Sequence, residues 1–349
     1  MRELELFDPK LVARKLGIES ERSTLDETGL APGDWENSRS ELYRSILRNP
    51  LGHRRQLLTG SEECLARLSR LAATAPHFRE VIGIVKRAVI LSWRAKVGLK
   101  IPAILVTGDP GIGKSFTLRR IAEALHPPTA SRRGEAPVIA EHSFATSDDS
   151  ATIGGHTLSW KNARPGLVAS LLLSSPLANP VVLLDEIDKA TADRDNKTDC
   201  LHALLEQDEN ASRFVDQFLE FPLRADYVIW LITANSVEGM RPSLLDRCIV
   251  IPVEQPRPEE RRLIAQQIVE AALVPYKRVV GCYEDSIVCR LDEFSPRQTK
   301  RLVDLAIALA ASEGRSVLRT ADIEAAARLV RPQAESRIGF HASFHATRP

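Results

Sequence analysis

The chain has 349 residues, 44% of them apolar and 27% charged, the make-up of an ordinary globular protein with room for two or three domains. Lys plus Arg number 47 and Asp plus Glu 46, so the net charge of +1 removes any global electrostatic argument for a nucleic acid or an acidic partner. Five cysteines without a C-x-x-C pair argue against a complete disulfide framework. With no apolar run near 18 residues and no signal-peptide core at the start, the expectation is a cytoplasmic protein with reduced thiols.

Residues 1–60 are the least legible. A short helix is expected at 9–16, loop chemistry at 28–34, and some helical spacing at 35–47 (Leu42, Ile46, Leu47). The stretch reads as an N-terminal extension that docks on its own core, a neighbouring subunit or a partner. The basic cluster His53-Arg54-Arg55 reads as a solvated turn. From 61 to 97 apolar residues recur at helical spacing, and Ala75-Pro76 divides them into two helices.

A β-branched apolar run, Ile104 to Val106, then predicts a buried strand, and 116–125 a helix. Between them Gly108, Asp109, Pro110, Gly111, Ile112, Gly113, Lys114 and Ser115 fit G-x-x-x-x-G-K-[ST], followed by Phe116. The glycines let successive N–H groups curl around an anion, and the helix N-terminus adds partial positive charge. Lys114 would reach the β- and γ-phosphates, and Ser115 would offer a hydroxyl to Mg²⁺.

Residues 129–136 read as an exposed loop, 138–140 as a strand, and the small, Gly-rich stretch 143–159 as a long mobile loop. A helix at 166–174 leads to Val181-Val182-Leu183-Leu184-Asp185-Glu186, a buried strand with two carboxylates at its C-terminal end. Open parallel sheets place ligand chemistry there. Asp185 would hold the Mg²⁺ water shell and Glu186 would polarise an attacking water. A helix at 198–207 and a third apolar strand at 227–235 follow, the latter ending in Thr233-Ala234-Asn235. Asn235 either orients water at the γ-phosphate or merely caps the strand. Leu244-Leu245-Asp246-Arg247 runs into a last strand.

After Pro256-Arg257-Pro258 the chain reads as all-helical to about residue 330, in segments near 260–272, 283–289, 296–312 and 320–330. The expected organisation is therefore an extension at 1–60, an α/β core with leading helices at 61–255, a helical domain at 256–331 and a disordered tail at 332–349.

Taken together, the phosphate loop, Leu183 to Lys189, Ala203-Leu204-Leu205-Glu206, Phe218-Leu219-Glu220, Thr233-Ala234-Asn235 and Leu244 to Arg247 resemble the AAA+ ATPases, and among them the ATPase module of Lon-type proteases. The resemblance spans roughly residues 100–300. It implies a P-loop α/β core with a small helical lid, ATP and Mg²⁺ as cofactors, ATP hydrolysis, and a homo-hexameric ring. Position by position, Lys114 and Ser115 resemble the Walker A pair, Asp185 and Glu186 the Walker B pair, and Asn235 sensor 1. Arg247 resembles the finger given to the neighbouring subunit, with Arg241 as a second candidate, and Arg297 resembles the sensor 2 arginine.

Two departures stand out. No Lon peptidase module is expected after the lid. At the pore loop, Thr152-Ile153-Gly154 keeps an aliphatic residue but lacks the aromatic that grips polypeptide, a part Trp160 could take. The expected partner is a protein client. The alternatives are a nucleic acid, met by Lys161, Arg164 and Arg132-Arg133, or a separate protease or effector of which this is the ATPase half. No membrane association is expected.

Overall fold

The computed structural model describes residues 3–24, 34–126, 138–145, 151–157, 163–191 and 199–330. The chain divides into two compact units, with the boundary between Pro256 and Arg257.

The first unit is built on five parallel strands: β3 (Ile104–Thr107), β4 (Ile139–Ser143), β5 (Val181–Asp185), β8 (Ile229–Ala234) and β9 (Ile249–Pro252), in the order β4-β5-β8-β3-β9. Successive residues of the central strands point to opposite faces, and both faces are covered, which is why these strands read as continuous apolar runs. Leu105, Val182, Leu184, Trp230 and Ile232 enter one core. Ile104, Val106, Val181, Leu183, Ile229 and Leu231 enter the other.

The second of these cores is closed by the helices Glu62–Thr74, Arg79–Ala95 and Lys114–Leu125, through Leu68, Val81, Val85, Leu118 and Ile121. The first is closed in part by the N-terminal residues. Here the helices Pro9–Thr24 and Asp34–Arg48 are longer than the spacing predicted. Leu6, Phe7, Val12, Tyr43 and Ile46 are buried with Phe218, Leu219 and Phe221. The extension thus docks on its own core, one of the three destinations the sequence left open.

Strands β1 (Glu3–Glu5) and β2 (Arg54–Gln56) pair antiparallel. The expected solvated turn at 53–55 is corrected at Arg55, which is 2% exposed. Its guanidinium donates to the carbonyls of Leu51 (3.0 Å), Gly52 (2.7 Å), Arg54 (3.0 Å) and Leu173 (3.0 Å). Carbonyls around the two terminal nitrogens compensate a charge that composition alone assigns to solvent, while among the described residues Nε has no hydrogen-bond partner.

The stretch 143–159 also departs from expectation. Its described part includes the end of β4 and a short helix, Ala151–Gly154, with Ile153 only 1% exposed. A two-residue hairpin pair, β6 (Phe214–Val215) with β7 (Pro222–Leu223), lies beside it, and the Gln217 N–H donates to the Gly154 carbonyl (3.0 Å).

The second unit packs the helices Pro258–Leu273, Ser286–Leu291, Pro296–Ser312 and Thr320–Val330 around Val269, Ile287, Leu302, Val303, Ala306 and Ile323. It is not purely helical. Strands β10 (Cys282–Tyr283) and β11 (Val317–Leu318) form a short parallel pair that two-residue runs could not announce. The tail at 332–349, the loop at 129–136, Arg132, Arg133, Trp160 and Lys161 lie outside the described residues.

Candidate nucleotide site

The site forms at the C-terminal ends of β3, β5 and β8. Strand β8 lies between the other two, so residues far apart in sequence arrive side by side. The phosphate loop leaves β3 through three glycines at positive φ: Gly108 (147°), Gly111 (86°) and Gly113 (97°). At Gly108 the requirement is also steric, since a Cβ would stand 2.3 Å from the Val253 carbonyl oxygen. Ile112 turns into the core and anchors the loop, whereas Asp109 and Pro110 are exposed at its crest and Phe116 stands out from the first helical turn.

Lys114 is buried, and its ammonium donates to the carbonyls of Gly108 (2.6 Å) and Asp109 (3.0 Å) and to Asn235 Oδ1 (3.0 Å). Burial lowers its pKa, against the opposing pull of Asp188, Asp185, Asp109 and Glu186. A polyanion would restore what burial removes, so the cation is poised for one.

The Ser115 hydroxyl donates to Asp185 Oδ1 (2.5 Å), and the Thr233 hydroxyl donates to the same oxygen (2.5 Å). Thr233 in turn accepts the Glu186 N–H (3.0 Å), and its carbonyl accepts the Ile187 N–H (2.9 Å). These bonds hold Glu186 at φ 54°, a left-handed conformation costly for a residue with a Cβ. Among the described residues the Glu186 carboxylate has no hydrogen-bond partner, so it is open to a water. The Asn235 N–H donates to Asp188 Oδ1 (3.2 Å), which orients the asparagine toward Lys114.

Thr233 and Asp188 therefore belong to the site, although no role attaches to them in sequence. The only signal was a polar residue closing an apolar strand. Gln255 is another such residue, donating to Asp109 Oδ2 (2.9 Å).

The donor set fits a Mg²⁺-bound triphosphate. Ser115 and Asp185 supply a hydroxyl and a carboxylate in contact, the hard oxygen ligands this ion takes. The three glycines at positive φ give the loop the curl an anion cradle requires.

Arg247 is not with this group. It precedes β9 at the end where Ile249 pairs with Ile104, whereas the phosphate loop follows Thr107 at the other end. At about 3.3 Å per residue, the strand alone separates the two ends by roughly 10 Å. Arg241 is half-buried at the N-cap of the helix Pro242–Leu245. Arg297 belongs to the second unit, exposed in the first turn of a helix whose N-cap Ser295 is locked by a reciprocal bond with Gln298.

A parallel sheet of this order with a glycine-rich loop opening a helix is the P-loop nucleotide-binding fold, joined here to a helical unit. Residues 104–254 match the family described as "ATPase family associated with various cellular activities (AAA)". Similar proteins include Lon protease 2 of Borreliella burgdorferi, 36% identical over 157 residues, which are 45% of this chain and 18% of that protein. The Lon protease of Finegoldia magna is 35% identical over 48% of this chain and 20% of its own length. That of Cytophaga hutchinsonii is 31% identical over 50% and 20%. The chain carries an AAA domain resembling the ATPase module of Lon-type proteases, and the match spans about a fifth of these relatives' length.

Proposed function

We propose that this protein binds and hydrolyses ATP and uses the cycle to remodel or move a protein partner. The observation that carries the reading is a set of side-chain contacts at the C-terminal ends of neighbouring strands: Lys114 with Asn235 (3.0 Å), and Ser115 and Thr233 each with Asp185 (2.5 Å). The loop amides and Lys114 would hold the phosphates. Ser115 and Asp185 would hold Mg²⁺, which neutralises phosphate charge when bound. Glu186 would accept a proton from the attacking water, and Asn235 would keep that water in line. Hydrolysis then needs little more than positioning and charge stabilisation.

Of the two candidate fingers, Arg247 and Arg241, we favour Arg247. Its place at the opposite strand ends supports service to a neighbouring subunit rather than to its own loop, and so a ring, six-fold by resemblance to Lon-type ATPases. By the same resemblance Arg297 would be the sensor 2 arginine. The similarity to Lon proteases favours a protein client, with the chain acting in the cytoplasm as an ATPase or as the ATPase part of a larger proteolytic system. Ile153 is buried, so the client is not gripped by that side chain in this conformation.

Glu186→Gln should bind ATP with wild-type affinity and lose turnover by at least about 100-fold; wild-type turnover refutes the base assignment. Mg²⁺-dependent ATPase rates with unfolded protein, DNA or RNA at two salt concentrations identify the client. Stimulation by unfolded protein is expected. Stimulation by DNA or RNA alone, falling steeply with salt, would instead make the partner a nucleic acid.

A further inference from the structure

Arg247 is not a loose side chain. Its Nε donates to the His202 carbonyl (3.0 Å), one terminal nitrogen donates to the Ser243 carbonyl (2.6 Å), and the other is ion-paired with Glu206 Oε1. Two guanidinium N–H groups are hydrogen-bonded and the third nitrogen is ion-paired, while the side chain stays 26% exposed, so the outward edge remains available.

Glu206 is itself fixed. Its Oε2 accepts from the Asn210 side chain (3.1 Å). The next residue, Gln207, is buried at φ 53°, and its amide donates to the carbonyls of Ile101 (2.9 Å) and Val228 (2.7 Å), just before β3 and β8. Glu206 therefore stands on a corner bolted to the two central strands. It shares with Arg247 an open cleft of about 380 Å³ that also includes Pro102, Ala103 and Asp246.

Stability is a poor explanation for the pair. Both side chains are more than a quarter exposed, and such ion pairs contribute little. The backbone already ties this corner, with the Ile249 N–H on the Ala103 carbonyl (2.8 Å) and the Cys248 N–H on the Leu245 carbonyl (3.0 Å). What the carboxylate adds is direction. An arginine held at one atom samples many rotamers, whereas one held on three sides presents a single edge.

The geometry points to Glu206 as the positioning residue for Arg247, holding the guanidinium edge toward the cleft so that it meets the γ-phosphate of a neighbouring subunit already oriented. This rests on the proposed in-trans role of Arg247.

The test is steady-state ATPase kinetics on the full chain, with nucleotide affinity and assembly measured in parallel. Arg247→Ala should lower kcat by at least about 100-fold. Glu206→Ala should lower kcat about tenfold with KM, affinity and assembly unchanged, as loss of a supporting contact does. Glu206→Gln, which keeps an acceptor oxygen, should recover most of that loss. Adding Glu206→Ala to Arg247→Ala should cost nothing further, because Glu206 acts only through the arginine. Wild-type kcat in Glu206→Ala, or losses that multiply in the double variant, overturns the assignment of Glu206 while leaving Arg247 in place. A fully active Arg247→Ala overturns the underlying reading instead. Should Glu206→Ala fail to fold, Glu206→Asp decides: a several-fold fall in kcat at constant KM supports the proposal, and wild-type kcat refutes it.

Discussion

Two carboxylates in the first unit show how the same side chain serves a site and a scaffold. Asp185 is half-buried at the end of β5, and the bonds described for it come from hydroxyls, those of Ser115 and Thr233. Asp216 is fully buried and accepts three backbone N–H groups: Phe218 (2.9 Å) and Leu219 (3.1 Å) on Oδ1, and Gly166 (2.8 Å) on Oδ2. Hydroxyls rotate and can yield a carboxylate to a cation. Amides fixed in a backbone cannot, and without the carboxylate they are left buried and unpaired. Burial raises the Asp216 pKa, the amides of Gly166, Leu219 and Phe218 opposing it. Nothing in one-letter code separates the two residues except what surrounds them.

The contrast can be broken most sharply at the site. Asp185→Asn keeps an acceptor for both hydroxyls, so unfolding midpoints should stay within about 0.5 kcal/mol of wild type. Mg²⁺-dependent turnover should fall about 1000-fold, or about 4 kcal/mol in the barrier. Unfolding of this variant at markedly lower denaturant would make Asp185 a scaffold residue after all.

Asp216→Ala should do the reverse. Three stranded amides should cost about 3 kcal/mol or more in denaturant unfolding, with the hairpin Phe214–Leu223 and residues 151–157 and 163–166 losing hydrogen-exchange protection first. Unchanged stability would remove the scaffold role.

Acid sharpens the same distinction at His126, which ends the phosphate-loop helix. Its ring is buried, with Nε2 3.2 Å from the Asn179 carbonyl, and burial pushes its pKa down to about 4. The unfolded chain takes up this proton near pH 6.5 and the folded chain does not, so stability is complete above pH 6.5 and is lost as pH falls toward 4. The loss attributable to this group is about 2–3 kcal/mol. His126→Gln, which keeps a donor, should flatten that part of the pH profile; an identical profile would show that the imidazole is not held neutral.

The smallest effect is at the junction with the N-terminal residues. The Tyr43 hydroxyl donates to the Leu219 carbonyl (2.6 Å), while Arg39 and Lys15 reach Glu220 at 3.3 and 3.5 Å. Tyr43→Phe should cost about 1 kcal/mol in unfolding and leave turnover intact. A larger loss of turnover would mean that the extension is coupled to the site.

Much of the site was legible because its chemistry is local. A strand, a glycine loop and a helix start are contiguous, and their backbone conformation is dictated by residues that tolerate positive φ. The acidic pair ending β5 was legible for the same reason. Thr233 was not, because its role depends on β8 lying between β3 and β5, which is a fact of strand order. Gly155 is a similar case: a Cβ there would stand 2.5 Å from Asp216 Oδ1, a constraint set by a residue 61 positions away.

By itself, then, the sequence determined the elements whose hydrogen bonds and periodicity are short-range: the apolar strands, the phosphate loop and the helices of the second unit. Only the tertiary structure decided where the N-terminal helices dock, why Arg55 and Asp216 are buried, and that Arg247 lies at the opposite strand ends from the phosphate loop with Glu206 holding it. Those outcomes depend on which distant groups satisfy a buried charge or fix a side chain's direction, and partners across the sheet are chosen by folding rather than by sequence spacing.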